Sequence, residues 1–87
     1  MKRDVAFFGD RPVELVFIAK KLQEALRFEA LLTERGFDYA VETDRYVGGI
    51  LFRTERIGAF FYVEADSREA AAAMAVENGF RPTPIED

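Results

Sequence analysis

Val13-Glu14-Leu15-Val16-Phe17-Ile18-Ala19 is the stretch that decides the fold. It is β-branched and aromatic and apolar at nearly every position, the composition of a strand covered on both faces, and we expect it in the middle of a sheet. Immediately after it the spacing becomes helical over 21–35. Leu22, Ala25, Leu26, Phe28 and Leu32 share a face there, and Gly36 stands where a helix would close. The period then changes to two, with Phe37, Tyr39, Val41 and Thr43 alternating with Asp38, Ala40, Glu42 and Asp44. That is an edge strand with one wet face.

Residues 44–49 read as a turn, Ile50-Leu51-Phe52-Arg53 as a short strand, and residues 55–58 as a reversal. Ala59-Phe60-Phe61-Tyr62-Val63-Glu64-Ala65 is the second strand apolar on both sides and is also expected to be central, with Phe60 and Tyr62 on one face and Ala59, Phe61 and Val63 on the other. Asp66 and Glu69 form a capping-box-like pair for a helix to Asn78, closed by Gly79, whose alanines over 70–73 allow close approach to a sheet. Residues 80–85, with Pro82 and Pro84, suit only a short edge strand or a tail. Upstream, 9–12 is turn chemistry, so Val5–Phe8 is a candidate short strand paired to the first.

The order β-α-β-β-α, with a final short strand as an option, predicts an α+β fold of the ferredoxin-like, split β-α-β kind: an antiparallel sheet with two helices on one face. A chain of 87 residues makes one domain, with an N-terminal segment over 1–12, a core over 13–80, and a tail or edge strand over 81–87. No repeat, linker or low-complexity tract interrupts it.

Composition narrows the function classes. The chain has no cysteine and no histidine, which removes disulfides, thiolate metal sites, the commonest general base and the strongest neutral-pH nucleophile. Catalysis and a bound cofactor are therefore not expected. The formal charge of −4 argues against nucleic acid or an anionic membrane as partner. The apolar run at Val5-Ala6-Phe7-Phe8 is too short for a signal peptide, and no segment approaches the roughly 20 apolar residues of a membrane span, so a cytoplasmic location is expected.

Two helices on one face leave the other face of the sheet open. Val16, Ile18, Phe60 and Tyr62, or their opposite-parity neighbours, would lie there, together enough to exceed the roughly 400 Å² of contiguous apolar surface that a monomer usually tolerates. A homodimer through that face is the expected cover, and Val5–Phe8 folded over it is the alternative. Lys20 and Lys21 mark a candidate anion site at the first helix, where free N–H groups, the helix dipole and two ammonium groups converge; two solvated surface lysines are the plainer reading. Glu29 falls among the apolar positions of that helix, so it is either half buried with Arg53, Arg56 or a strand-end N–H as partner, or a boundary residue reaching water. Asp38, Glu42 and Asp44 read as solvated charges rather than a metal site, and nothing in the sequence activates Ser67, the single serine.

Arg56-Ile57-Gly58-Ala59-Phe60-Phe61-Tyr62-Val63, followed by Asp66-Ser67-Arg68-Glu69-Ala70-Ala71, has the cadence of the third strand and second helix of an RNA recognition motif. Arg56, Ala59 and Phe60 agree with that motif, whereas Ile57, Gly58, Phe61 and Val63 do not, and the stacking aromatics fall out of register. Separately, Leu15-Val16-Phe17 followed by Glu24-Ala25-Leu26-Arg27-Phe28-Glu29-Ala30-Leu31-Leu32-Thr33-Glu34-Arg35-Gly36-Phe37 resembles two related groups of small prokaryotic proteins. One is a signal-transducing family sometimes likened to the nitrogen-regulatory PII proteins, and the other is a sulfur/selenium carrier-like family. Both carry a strand, a helix with paired leucines and a closing glycine, then a strand. The carrier-like group's cysteine-bearing loop has no counterpart, since Arg45-Tyr46-Val47-Gly48-Gly49 contains no thiol.

The expectation is a non-enzymatic cytoplasmic module that self-associates and binds a small anionic ligand or a protein partner, with a regulatory role implied by the signal-transducing resemblance. The alternative is an RNA-binding domain using the same aromatic face. An enzyme would have to work with carboxylates and Tyr39, Tyr46 or Tyr62, and would need Glu29 or Glu42 buried in a pocket.

Overall fold

The computed structural model describes residues 1–48 and 54–84, and for 45–48 and 54–56 the backbone alone. Strand β1 (Val13–Ala19) leads into helix α1 (Leu22–Glu34), strand β2 (Tyr39–Gly48), strand β3 (Thr54–Glu64) and helix α2 (Arg68–Glu77), the last preceded by a 3-10 turn at Ala65–Ser67. β3 lies between β1 and β2 and is antiparallel to both. β1 and β2 are therefore parallel, split by β3 and joined through α1: a split β-α-β, ferredoxin-like α+β fold.

Both helices pack on one face. Ala25, Phe28 and Leu32 from α1 and Ala71, Met74 and Ala75 from α2 share a single core with Val16, Phe17, Tyr39, Phe61 and Val63. Its centre is aromatic: Phe28 lies 4.5 Å from Phe17 and 5.0 Å from both Phe61 and Phe80, ring centre to ring centre. The Phe61 and Phe80 contacts are edge-to-face, which favours the ring quadrupoles. Ala71 and Ala75 are fully buried, and with no side chain beyond Cβ they let α2 lie close on the sheet.

Both helices end as the glycines require. Gly36 donates to the Thr33 carbonyl and Phe37 to that of Leu32, while Gly79 donates to Val76 and Phe80 to Ala75, the paired bonds of a Schellman closure. Gly36 and Gly79 sit at φ 80° and 84°, a region that costs a side chain energy. In each case the residue that follows is the aromatic that returns to the core.

Several expectations are corrected. β1 is an outer strand of the three, not a central one. It is apolar on both faces because the helices cover one and the N-terminal segment covers part of the other. Its outer edge is partly occupied too, since Thr83 donates its N–H to the Val16 carbonyl. Residues 80–84 follow that edge without forming a strand. The region 44–48 belongs to β2 and 54–58 to β3, so the hairpin continues in register to Gly48 opposite Thr54, where a turn and a reversal were expected. The expected short strand at 50–53 and the end of the tail at 85–87 lie outside the described residues.

Val5–Phe8 is a 3-10 turn rather than a strand. Asp4 explains its start, because the Asp4 carboxylate accepts the Ala6 N–H at 3.1 Å and turns the chain there. Residues 1–3 run parallel to the beginning of β2, with Tyr39 donating to the Met1 carbonyl and Arg3 to that of Tyr39. The segment must then cross the sheet from the β2 edge to reach β1. The second helix also starts differently from expectation: Asp66 lies within the preceding 3-10 turn, so the N-cap is Ser67 rather than Asp66, and the Ser67 side chain makes no capping bond.

Candidate functional site

The strand register places Ile18 opposite Phe60 and Leu15 opposite Tyr62 on the side of the sheet away from the helices. On the other flank of β3, Glu42 lies opposite Phe60 and Ala40 opposite Tyr62. Ile18, Phe60 and Tyr62 thus stand together on this open face, each half-buried. Val16 does not join them. The register of β1 shifts between Leu15 and Phe17, and this bulge leaves both Val16 and Phe17 buried in the helix-side core. Strict alternation would have returned Val16 to the open face, and the bulge explains why it does not.

The N-terminal segment shields part of this face. Phe8 is buried to 3% exposure yet stands outside the helix-side core, and with Val5 it borders a cavity of about 200 Å³ whose other walls are Val13, Ala40, Glu42 and Tyr62. Arg11 straps the turn down. Its guanidinium donates to the carbonyls of Phe8 at 3.1 Å and Phe7 at 2.9 Å and pairs with the Glu64 carboxylate at 2.7 Å. It also lies over the Phe7 ring at 5.2 Å, while Arg3 lies over the same ring at 4.4 Å and bonds Asp38 at 2.9 Å. The cover is incomplete, since Val5 and Phe7 remain 50% and 42% exposed.

Carboxylates set the electrostatics of this face. Burial raises the Tyr62 phenol pKa, and the Glu42 and Asp44 charges raise it further by disfavouring a nearby phenolate. Glu42 is exposed and has no ion-pair partner among the described residues. Among those residues, no three acidic side chains converge as a metal set.

Lys20 and Lys21 lie elsewhere, at the start of α1. Both are exposed and border a hollow of about 190 Å³ with Leu22, Ala25, Thr43, Ile57 and Ala59. The helix start has no side-chain cap from Lys21, but the Glu24 carboxylate reaches back to accept the Lys20 N–H at 3.0 Å. An external anion would therefore meet an internal carboxylate already placed at the positive end of the helix. The hollow and the open-face cluster draw on different side chains, so the two candidate sites are separate.

Glu29 is half-buried, and Lys2 is its partner at 3.9 Å, a cation that only the fold of the N-terminal segment brings there. Arg53 lies outside the described residues, as does the Arg56 side chain. The Tyr39 hydroxyl sits 2.9 Å from that of Thr33 and donates to the Glu29 carbonyl at 3.3 Å. Its pKa is raised, first by burial and further by the Glu29 charge, against the lowering effect of the Thr33 bond.

Arg68 carries no signal in the sequence. It is nevertheless buried, and it donates from Nε to the Leu15 carbonyl at 3.3 Å and from Nη2 to the Thr83 carbonyl. These bonds anchor the start of α2 to the β1 bulge and to the tail. Backbone carbonyls thus solvate a cation at the unfavourable end of a helix dipole.

The fold and this face define a small split β-α-β module with a partly shielded, acid-rimmed apolar sheet surface. No protein-family model, curated protein or solved structure matches the chain. No helix among the described residues is long and apolar enough to cross a membrane.

Proposed function

We propose that the chain is a non-enzymatic cytoplasmic interaction module that forms a homodimer through the open face of its sheet and acts in regulation by binding a further partner. The observation that carries this reading is the cluster of half-buried Ile18, Phe60 and Tyr62 on a sheet face without a helix, with the exposed Val5 bordering the cavity at Tyr62, an apolar surface that the N-terminal turn covers only in part. Charge complementarity supports a second copy as the occupant. The N-terminal cover carries Arg3 and Arg11, while Glu42 and Asp44 stand on the strand beyond, so a two-fold contact can set arginines of one protomer against carboxylates of its partner. The same carboxylates oppose RNA, whose phosphates would meet them beside the aromatics. The Lys20 and Lys21 pair enters as a secondary contact for a small anionic ligand or an acidic partner segment, in competition with Glu24.

Light scattering on the wild type and on Phe60→Glu tests the reading, with circular dichroism to confirm that the variant folds. A wild-type dimer whose mass halves in folded Phe60→Glu is expected. A wild-type monomer at the highest soluble concentration, or a dimer indifferent to Phe60→Glu, would refute it.

A further inference from the structure

A full β-α-β-β-α-β chain order ends in a strand beside β1, and here residues 80–84 fill that place only in part. The strand register shows which backbone groups are left over. Tyr39 spends both its N–H and its C=O on the outer edge of β2, with Met1 and Arg3, so Val63 opposite it turns its own pair toward β1. Phe61, two residues away on β3, does the same toward Phe17, and its neighbour Phe60 faces β2. Ile18, opposite Phe60, therefore turns its N–H and C=O to the outer edge of β1, although its side chain belongs to the open face.

On either side of Ile18 the edge is occupied. Arg68 takes the Leu15 carbonyl and Thr83 the Val16 carbonyl, and beyond Ile18 the Glu24 carboxylate takes the Lys20 N–H. Among the described residues no backbone hydrogen bond from the tail reaches Ile18. This position opens on a hollow of about 350 Å³ walled by Phe17, Ile18, Lys20, Glu24, Phe80 and Arg81. A donor and an acceptor side by side on an open edge are the template for a further strand, which a simple ion does not satisfy. Charge sets the kind of strand. Arg81 is exposed and has no ion-pair partner among the described residues, and Lys20 borders the same hollow, whereas Glu24, the one carboxylate in the wall, is already engaged at the start of α1.

We infer that this edge takes a short extended segment of an acidic peptide, one residue of which exchanges both backbone hydrogen bonds with Ile18 while a carboxylate of the segment pairs with Arg81. Between the occupied groups of Val16 and Lys20 there is room for about three extended residues. The inference gives a chemistry to the further partner proposed above and rests on that part of the proposal alone; a chain that stays monomeric would end the dimer reading and leave this edge unchanged.

Titration with the capped tripeptide acetyl-Val-Glu-Val-amide, followed by backbone amide chemical shifts, tests the inference. The Gln and Lys analogues are the neutral and cationic probes, and an analogue N-methylated at all three residues keeps the carboxylate but can donate no residue N–H. Saturable binding is expected with a Kd in roughly the millimolar range, and the Ile18 amide should move downfield and exchange more slowly as it gains an acceptor. The Gln analogue and Arg81→Gln should each weaken binding about two- to fivefold, the modest effect of a solvent-accessible ion pair, and together no further than either alone. Arg81 is exposed, so its replacement leaves packing intact. The N-methylated peptide should not saturate. No saturation with the Glu peptide, an Ile18 amide that does not move, equal binding of the Lys or N-methylated analogue, or unchanged affinity in Arg81→Gln would overturn the inference.

Discussion

Replacing Phe8 with alanine strips the anchor of the N-terminal cover from the sheet, and the structure sets the size of the effect. Phe8 is 3% exposed. A buried phenylalanine removes about 150–250 Å² from water, worth about 4–6 kcal/mol at about 25 cal/mol per Å², an upper figure because the unfolded chain is already partly compact. The 3-10 turn can settle into the space, so the lower end of the usual range for buried Phe→Ala applies, about 3 kcal/mol. That is a large share of the roughly 4–13 kcal/mol expected of an 87-residue domain. In urea denaturation followed by far-ultraviolet circular dichroism, with a slope of about 1 kcal/mol per molar, the midpoint should fall by about 3 M with little change in slope. Phe7→Ala is the internal control. Phe7 is 42% exposed and is held by its edge contact with Phe8 and by the two arginines, so its loss should cost less than about 1 kcal/mol. If Phe8→Ala costs no more than Phe7→Ala, the turn does not dock on the sheet, and the account of the open face fails with it.

Two further outcomes follow from buried polar groups. Arg68→Met removes the donors that serve the Leu15 and Thr83 carbonyls and should cost about 2 kcal/mol in urea denaturation; Arg68→Lys should recover only part of this, because a single ammonium does not match the guanidinium fork. Faster hydrogen exchange at the Thr83 amide in Arg68→Met would confirm that the tail has been released, and unchanged exchange there would contradict the anchoring role. The alkaline limb of stability tests the tyrosines. Both Tyr39 and Tyr62 have folded pKa values raised above the unfolded value, so their contribution is fully present below about pH 10 and is lost as pH rises through the folded values. The urea midpoint should fall as pH rises past about 10 in the wild type, and the fall should be shallower in the Tyr39→Phe, Tyr62→Phe double variant; equal slopes would refute it.

Whatever depends on neighbours a few residues apart was legible in the chain alone. Helix α1 was legible because its apolar residues recur at helical spacing, and both helix ends were legible because Gly36 and Gly79 close them through bonds within a single turn. The central place of β3 and the sharing of one face by Phe60 and Tyr62 followed from composition and a period of two. The remaining features rest on contacts between residues far apart in the chain. Val16 turns into the core because a one-residue bulge resets the parity of β1, and no local pattern encodes that shift. Val5–Phe8, apolar enough for a strand, becomes a turn because pairing of residues 1–3 with β2 obliges the chain to cross the sheet. Lys2 meets Glu29, and Arg68 meets the carbonyls of Leu15 and Thr83, only once the elements between them have packed. The cavity has the same origin: periodicity put Ala40, Glu42 and Tyr62 on strands, but only the folded N-terminal segment put a roof over them.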